Sequence, residues 1–282
     1  MPNSKISRTT PETQEDSEWA EPSGTLGELV ASARIRAGAE AELAADAAVG
    51  SPASFQSAMG GENLAIIAEV KRMSPSRGAI NPRLNPARQA QEYEAGGASA
   101  ISVLTEPSRF GGSLADIAAV RQVTALPVLR KDFLVLESQL ADARRFGASA
   151  VLLIVRAIRP DRLSLLTREA RDLGLDILFE IRDETELARS LDAGATIIGV
   201  NNRNLETLEI DMATVERLLP LVPAGCLAVA ESGYSTRVGA ENAARAGADA
   251  LLAGSFLSAA ADPSEAVSSL AGIRKTARSR VT

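Results

Sequence analysis

Lysine and glutamate side chains follow short apolar runs at several points of this 282-residue chain. Glu69 and Lys71 end the run AIIAEVK, two positions apart, and Lys131 ends PVLRK. Glu180 ends DILFE in the same way. A lysine cation in a dry pocket can donate a proton and stabilise developing negative charge, and a carboxylate can accept or return a proton. Because the chain contains no histidine, any acid–base chemistry must depend on Lys, Glu, Asp, Tyr or Cys.

Three further apolar runs also end in polar or small residues. These are Asn201 and Arg203 after the sixth run, Glu231, Ser232 and Gly233 after the seventh, and Gly254 and Ser255 after the eighth. Small residues leave backbone N–H groups accessible, and such turns and nearby helix N-termini often bind phosphate. The pattern favours a phosphorylated small substrate. The polar loop 72–78, RMSPSRG, is typical of a lid or a substrate clamp.

Each of these features also has a structural interpretation. A single charge after a strand is commonly a solvated loop residue, a Gly-Ser turn need not bind anything, and loop 72–78 could be an ordered surface loop. A pocket that collects several charges is costly to stability unless function or mutual pairing keeps them there. The convergence of charges therefore favours function.

Eight apolar runs rich in Ile, Val and Leu supply the elements that would position these groups. They begin at Ala65, Ala100, Pro127, Ala150, Asp176, Thr196, Leu227 and Ala250. Near-continuous apolar runs indicate strands that are covered on both faces, as in parallel sheets. The spacing between them fits one helix and two short loops in each unit.

The intervening segments carry helix start and stop signals. Asn85 before Pro86 can supply an N-cap and the first helical residue. Asp183 and Asp262, each followed three residues later by Glu, have capping-box spacing. Helices are expected to end at Gly97, Gly147, Gly194 and Gly247. Eight such units in one chain predict an α/β fold, the (β/α)8 TIM barrel, with an open doubly wound sheet as the alternative.

The chain ends, the overall composition and the single cysteine indicate the domain organisation, the partners and the location of the protein. Residues 1–24 are expected to be a disordered tail, and residues 25–282 a single barrel domain that includes an N-terminal helical segment, 25–60, over the barrel's bottom or beside its mouth. The net charge of −6 and nine aromatic residues argue against nucleic acid, and no apolar stretch is long enough for a membrane span. A single cysteine, Cys226, interpreted as a small core filler, fits a cytoplasmic location.

Several motifs in order resemble the indole-3-glycerol phosphate synthase family: IAEVKRMSPSRG, ISVLTE followed by FGGS, PVLRKDF, GVNNRNLETLEID and ESGY. The resemblance extends from Ile66 to Ser255. It implies a (β/α)8 barrel with an N-terminal helical extension and a decarboxylating carbon–carbon lyase of tryptophan biosynthesis. Such an enzyme closes the indole ring of 1-(2-carboxyphenylamino)-1-deoxyribulose 5-phosphate with loss of carbon dioxide and water. The resemblance also implies no cofactor and no metal.

The resemblance assigns roles to single residues. Lys131 falls on the family's general acid and Glu180 on its proton-shuttling carboxylate. The other catalytic positions are Glu69, Lys71 and Asn201. The substrate-binding positions are Ser74, Phe110, Phe133, Arg203, Glu231, Ser232, Gly233, Gly254 and Ser255. The implied partner is a small phosphorylated substrate derived from anthranilate, bound by a monomer or weak homo-oligomer.

The sequence leaves some roles open. It does not divide the acid and base steps between Lys131 and Lys71, or between Glu180 and Glu69, because interacting groups titrate as a set. Arg203 and Lys71 could pair with the substrate's carboxylate or phosphate. A mutual ion pair with Glu69 or Glu231 explains these cations equally well.

Four other functions stay open at this stage. The chain could be a paralogue that acts on a modified anthranilate derivative, or a Schiff-base lyase that uses Lys131 as nucleophile on a phosphorylated sugar. A metal-dependent barrel would use Glu69, Glu180 and Glu231 as ligands, although the interleaved lysines argue against it. A non-catalytic binding barrel is the fourth.

Overall fold

The computed structural model describes residues 21–40 and 53–278 of the chain. Eight parallel strands close into a barrel in which each strand pairs with the next, and the last pairs with the first. They are β1 Ala65–Val70, β2 Ala100–Leu104, β3 Val128–Lys131, β4 Ala150–Ile154, β5 Asp176–Ile181, β6 Ile197–Asn201, β7 Leu227–Glu231 and β8 Ala250–Ala253. Every strand lies within its predicted apolar run, so the (β/α)8 barrel is confirmed and the open sheet is wrong.

Two helices precede the first strand, and the others follow the strands and cover the outer face of the barrel. In chain order they are α1 Gly24–Glu40, α2 Phe55–Ala58, α3 Pro86–Ala95, α4 Pro107–Phe110, α5 Leu114–Arg121, α6 Glu137–Arg145, α7 Pro160–Asp172, α8 Glu184–Asp192, α9 Ala213–Leu218, α10 Arg237–Arg245, α11 Ser255–Ala259 and α12 Pro263–Leu270. The core lies between the strands and the apolar stripes of these helices.

The predicted helix starts are present, with one difference. Asn85, Asp183 and Asp262 each accept a hydrogen bond from the backbone N–H three residues on. The Glu186 side chain accepts from the N–H of Arg182 rather than from that of Asp183. The reciprocal bond of a capping box is therefore not formed, and the Glu186 carboxylate turns toward the loop before α8.

Four helices end as predicted at glycines with φ between 85° and 99°: Gly97, Gly147, Gly194 and Gly247. Only glycine adopts this left-handed backbone without strain. Each glycine turns the chain directly into the next strand.

The N-terminal helices lie at opposite ends of the barrel. Helix α1 lies beside the mouth, where Leu29 lines the central pocket and the N–H of Thr25 donates to the carbonyl of Glu206, in the loop after β6. Helix α2 lies at the bottom, where the N–H of Gln56 donates to Asp176 Oδ2 at the start of β5 (2.9 Å). Both placements considered from the sequence therefore occur, one for each helix.

Parts of the predicted N-terminal organisation lie outside the described residues. These are residues 1–20 of the predicted tail and residues 41–52 of the predicted helical segment. Of the helices that the structure describes, none combines the length and apolar content that a membrane crossing requires.

The C-terminal residues close the bottom of the barrel. The N–H of Leu64, just before β1, donates to the carbonyl of Ile273 (2.7 Å). Arg278 donates to Asp249 Oδ2 (2.7 Å) and to the carbonyl of Cys226 (2.5 Å), which lie before β8 and β7. The final segment thus ties together three strand starts at the end opposite the mouth.

Loop 72–78 is ordered at the mouth. Met73–Ser74 and Gly78–Ala79 form a two-stranded antiparallel ladder. Arg72 Nη2 donates to Asp116 Oδ1 of α5 (3.0 Å), which anchors the base of the loop.

Candidate active site

A cavity of about 510 Å³ opens at the carboxyl ends of the barrel strands. All fourteen residues selected from the sequence line it: Glu69, Lys71, Ser74, Phe110, Lys131, Phe133, Glu180, Asn201, Arg203, Glu231, Ser232, Gly233, Gly254 and Ser255. Parallel strands bring their ends to one face, so residues distant in sequence converge there. The structure therefore brings together the whole predicted set, whose individual roles stay predictions.

Lys131 lies between two carboxylates at the inner end of this pocket. Its Nζ is 3.4 Å from Glu180 Oε2 and 3.5 Å from Glu231 Oε2. Burial alone would lower the pKa of Lys131, but the carboxylates of Glu180, Glu231 and Glu69 outweigh burial and raise it. The amine is consequently held as a cation that can donate a proton.

Glu231 is buried, and burial is the largest influence on its pKa. Only 1% of the residue is exposed, and neither carboxylate oxygen receives a hydrogen bond from the described residues, although the Lys131 cation is close. Burial, with smaller contributions from Glu180 and Glu69, raises the pKa of Glu231 to about 8 against the opposing effect of Lys131. Below that pH the Lys131 cation is therefore balanced mainly by Glu180, 3.4 Å away. A Cβ at Gly199 on the neighbouring β6 would lie 2.1 Å from Glu231 Oε1, so the glycine makes room for this carboxylate.

Glu69 and Lys71 form a second, separate pair on β1 and the loop that follows it. Lys71 Nζ is 2.6 Å from Glu69 Oε1, and both side chains are largely buried. A Cβ at Gly254 would lie 2.1 Å from the same carboxylate oxygen. Of the pairings left open by the sequence, the mutual ion pair is thus the one present for Lys71.

Asn201 links Glu180, on the proton-transfer side of the pocket, to Arg203. Its Nδ2 donates to Glu180 Oε1 (2.9 Å), and its Oδ1 accepts from the N–H of Arg203 (2.9 Å). Arg203 Nη1 donates to the carbonyl of Leu208 (2.7 Å), and within the described part of the chain it has no carboxylate partner. Arg203 is therefore available to an anion in the pocket.

The last two strands end in tight backbone turns. Ser232 and Gly233 have φ of 65° and 91°, so the chain turns sharply after β7. Gly254 precedes α11, whose first N–H groups have no partner within the helix. These are the small residues from which the sequence predicts phosphate binding.

Two aromatic rings form an apolar part of the wall. The centroids of Phe110 and Phe133 are 6.3 Å apart with the ring planes inclined at 41°. Glu106 caps the short helix α4 and accepts from the N–H of Phe110 (3.2 Å), which fixes the backbone below that ring. A flat aromatic group fits such a surface.

Asp132, which no sequence pattern singled out, supports the strand end that carries Lys131. The Asp132 side chain is fully buried, forms ion pairs with Arg36 of α1 (3.0 Å) and Arg130 (3.3 Å), and accepts a hydrogen bond from Thr105 (2.7 Å). Burial alone would raise the pKa of Asp132, but the two arginines lower it. Its position next to Lys131 in LRKDF was an available signal, whereas nothing in the local sequence indicated Arg36.

The metal-dependent alternative is not supported by the arrangement of the carboxylates. Glu69 pairs with Lys71, while Glu180 and Glu231 share Lys131. In the stretches 21–40 and 53–278, no group of three or more His, Cys, Asp or Glu side chains is arranged to hold a metal ion. The donor set thus fits lysine cations better than a metal.

Fold and pocket together define a (β/α)8-barrel enzyme whose acid–base groups are lysine and glutamate. A family model described as indole-3-glycerol phosphate synthase matches residues 27–270. The chain belongs to that family.

Named relatives agree with this membership, and a solved structure shares the fold. Indole-3-glycerol phosphate synthase 1 of Streptomyces coelicolor is 51% identical over 213 residues, 76% of this chain and 79% of that protein. The synthase of Kineococcus radiotolerans is 52% identical over 205 residues, 73% of this chain and 75% of that protein. The structure of thiamine phosphate pyrophosphorylase from Pyrococcus furiosus has a TM-score of 0.55 at 16% identity, covers 73% of this chain and 93% of that one, and shows the fold alone.

Proposed function

We propose that this chain is a decarboxylating carbon–carbon lyase of tryptophan biosynthesis. It closes the indole ring of 1-(2-carboxyphenylamino)-1-deoxyribulose 5-phosphate and releases carbon dioxide and water. The observation that carries the proposal is the Lys131 cation, held between Glu180 and Glu231. The same pocket contains Arg203, which has no carboxylate partner among the described residues, and two turns of glycine and serine. Family membership supports the same reaction.

Lys131 acts as the acid of the ring-closing step. A ketone carbon is a poor target for an arene carbon unless its oxygen receives a proton. The carboxylates around Lys131 keep it cationic, so it can donate that proton and stabilise the oxygen as charge develops. A Schiff-base lyase needs a neutral amine, and the same carboxylates disfavour that form.

Loss of carbon dioxide and then of water completes the reaction. Decarboxylation restores the aromatic ring without a cofactor. Dehydration needs an acid for the leaving hydroxyl and a base for the ring proton, and Glu180, together with Glu69 or Lys71, provides them. Asn201 holds Glu180 Oε1 at 2.9 Å and so fixes the direction of its other oxygen.

The carboxylate, the aromatic ring and the phosphate of the substrate each face a matching part of the pocket wall. The anthranilate carboxylate pairs with Arg203, and the aromatic ring packs against the wall formed by Phe110 and Phe133. The phosphate binds the turns after β7 and β8. The residues of that phosphate site are Ser74, Ser232, Gly233, Gly254 and Ser255.

Residues 25–282 act as a single domain, as a monomer or weak homo-oligomer in the cytoplasm. The partner is the small phosphorylated substrate, and the net charge of −6 disfavours nucleic acid.

The test mixes purified protein with the proposed substrate and follows indole fluorescence. We expect turnover by the wild type and a loss of at least about 100-fold in Lys131→Ala, because a general acid contributes on that order. Lys275→Ala, at the opposite end of the barrel, is the control and should retain turnover.

Other outcomes would redirect the proposal. Near wild-type turnover in Lys131→Ala would move the acid to Lys71. No turnover by the intact protein would favour a paralogue, which a screen of ring-substituted anthranilate derivatives would identify. Trapping of a covalent adduct by borohydride would favour the Schiff-base lyase.

A further inference from the structure

A second cavity of about 290 Å³ adjoins the active site on the side of β5 and β6. Five residues line both cavities: Ile154, Glu180, Asn201, Arg203 and Leu205. The outer wall of the second cavity includes Arg156 and Arg217, whose side chains are 43% and 49% exposed. The cavity therefore runs from the surface to the back of the proposed proton shuttle.

Glu186 is a buried carboxylate in the wall of this cavity. Only 4% of the residue is exposed, and its Oε2 accepts from the N–H of Arg182 (2.7 Å). Its Oε1 receives no hydrogen bond from the described residues, and the nearest cation is Arg156, 3.8 Å away. A buried carboxylate oxygen without a donor is costly, so its retention points to a role.

The groups around Glu186 set its protonation. Burial and the neighbouring Asp183 raise the pKa of Glu186 to about 7, against the opposing effects of the Arg182 N–H, Arg156 and Arg189. Arg156 is shared with a second carboxylate of the cavity wall, Glu206, to which its Nε is closer (3.3 Å). The carboxyl is therefore able to gain and lose a proton near neutral pH.

The proposed reaction, on which this inference rests, consumes a proton. The ketone oxygen takes up two protons and leaves as water, while the base removes one from the ring carbon. The substrate carboxylate leaves as neutral carbon dioxide, and its bonding electrons restore the ring. One proton per turnover must therefore enter from solvent.

A substrate in the main pocket obstructs the direct route for that proton. The side chains of Lys131 and Glu180 are only 16% and 4% exposed, and a substrate in the main pocket would cover them further from the mouth side. The second cavity reaches Glu180 from the side of β5 and β6, and its wall includes Glu186, which does not line the main pocket. We propose that the second cavity is the proton-entry path of the enzyme, with Glu186 as the group that relays protons from solvent to Glu180.

The test measures proton uptake and indole formation together. Single turnovers are followed in weakly buffered solution with a pH-indicator dye and by indole fluorescence. Glu186→Gln keeps the acceptor for the Arg182 N–H but cannot carry a proton. We expect it to slow both signals roughly tenfold at low buffer concentration, and added imidazolium to restore them. The wild type should be insensitive to imidazolium.

Matched variants separate relay from structure. Glu265→Gln changes a glutamate at the same position of helix α12, after the Asp262 cap and away from both cavities, and should behave as wild type. Glu186→Asp keeps an ionisable carboxyl and should retain most of the wild-type rate at low buffer. An unchanged rate in Glu186→Gln, or a loss that imidazolium does not restore, would overturn the relay. Absence of wild-type turnover would instead overturn the proposed function itself.

Discussion

At the scale of residues, the pocket depends on positions without a side chain as much as on its charged groups. Gly199 and Gly254 each lie beside a carboxylate from the neighbouring strand, Glu231 and Glu69 respectively. These two carboxylates pair with the two lysines of the site. Backbone packing therefore sets the distance between the charges.

Gly199→Ala tests this dependence. The added methyl would lie 2.1 Å from Glu231 Oε1, so Glu231 must move away from Lys131. We expect at least about tenfold lower turnover and a loss of about 1–3 kcal/mol in the free energy of unfolding. Steady-state kinetics and urea unfolding measure both. Gly225→Ala, where nothing lies within 4 Å of the added Cβ, should match the wild type; equal activity of the two variants would contradict the argument.

Glu231→Gln tests the pH dependence of stability. The folded-state pKa of about 8 lies above the ordinary value, so stability from the protonated form is complete at low pH and is lost as pH rises through 8. Glutamine cannot ionise. Relative to the wild type, the variant should therefore gain on the order of 1–3 kcal/mol between pH 5 and pH 8 in urea unfolding. A difference that does not change with pH would refute this origin of the pKa, and the exposed Glu265→Gln is the control.

At the scale of elements, helix α1 supports the strand that carries the proposed acid. Its Arg36 reaches the buried Asp132, which directly follows Lys131 in the chain. Its Leu29 lines the pocket itself. The N-terminal extension thus contributes both a wall and a charge to the site.

Arg36→Ala removes one cation from a buried carboxylate. We expect the free energy of unfolding to fall by about 1–3 kcal/mol and turnover to fall roughly tenfold, because Asp132 and the end of β3 lose part of their support. Arg34→Ala, on an exposed position of the same helix, should change neither. Wild-type stability and kinetics in Arg36→Ala would show that α1 does not position the strand.

The sequence was sufficient to predict the strands and helices of the barrel, but not to predict where the N-terminal helix α1 packs against it. Apolar runs and glycine stops are local signals, and they predicted all eight strands and four helix ends. The contact between Arg36 and Asp132 joins residues 96 positions apart, and no periodicity encodes it. The same limit applies to Glu186, whose spacing predicted a capping box although its carboxylate lines a cavity.

At the scale of the whole molecule, one end of the barrel carries the site and the other carries stabilising contacts. The site residues lie at the carboxyl ends of the strands, whereas α2 and residues 273–278 cover the opposite end. Substitutions at the bottom should therefore affect stability without affecting the chemistry.

Arg278→Ala tests this division. Arg278 joins Asp249 to the chain before β7, so its loss should lower the free energy of unfolding by about 1–3 kcal/mol while leaving kcat unchanged. Arg274→Ala breaks an ion pair whose two side chains are 77% and 82% exposed, and should cost no more than about 0.5 kcal/mol. A fall in kcat that accompanies the stability loss would show that the two ends are coupled.

The glycines beside the carboxylates also restrict the order in which substitutions can accumulate in this barrel. Alanine at position 199 becomes tolerable only after Glu231 has been shortened, and shortening Glu231 first leaves a hole beside Gly199. Each single step is harmful although the pair together fills the space, which is sign epistasis between neighbouring strands. A library that varies positions 199 and 231 jointly, and 254 with 69 jointly, would reach variants that one-at-a-time selection discards.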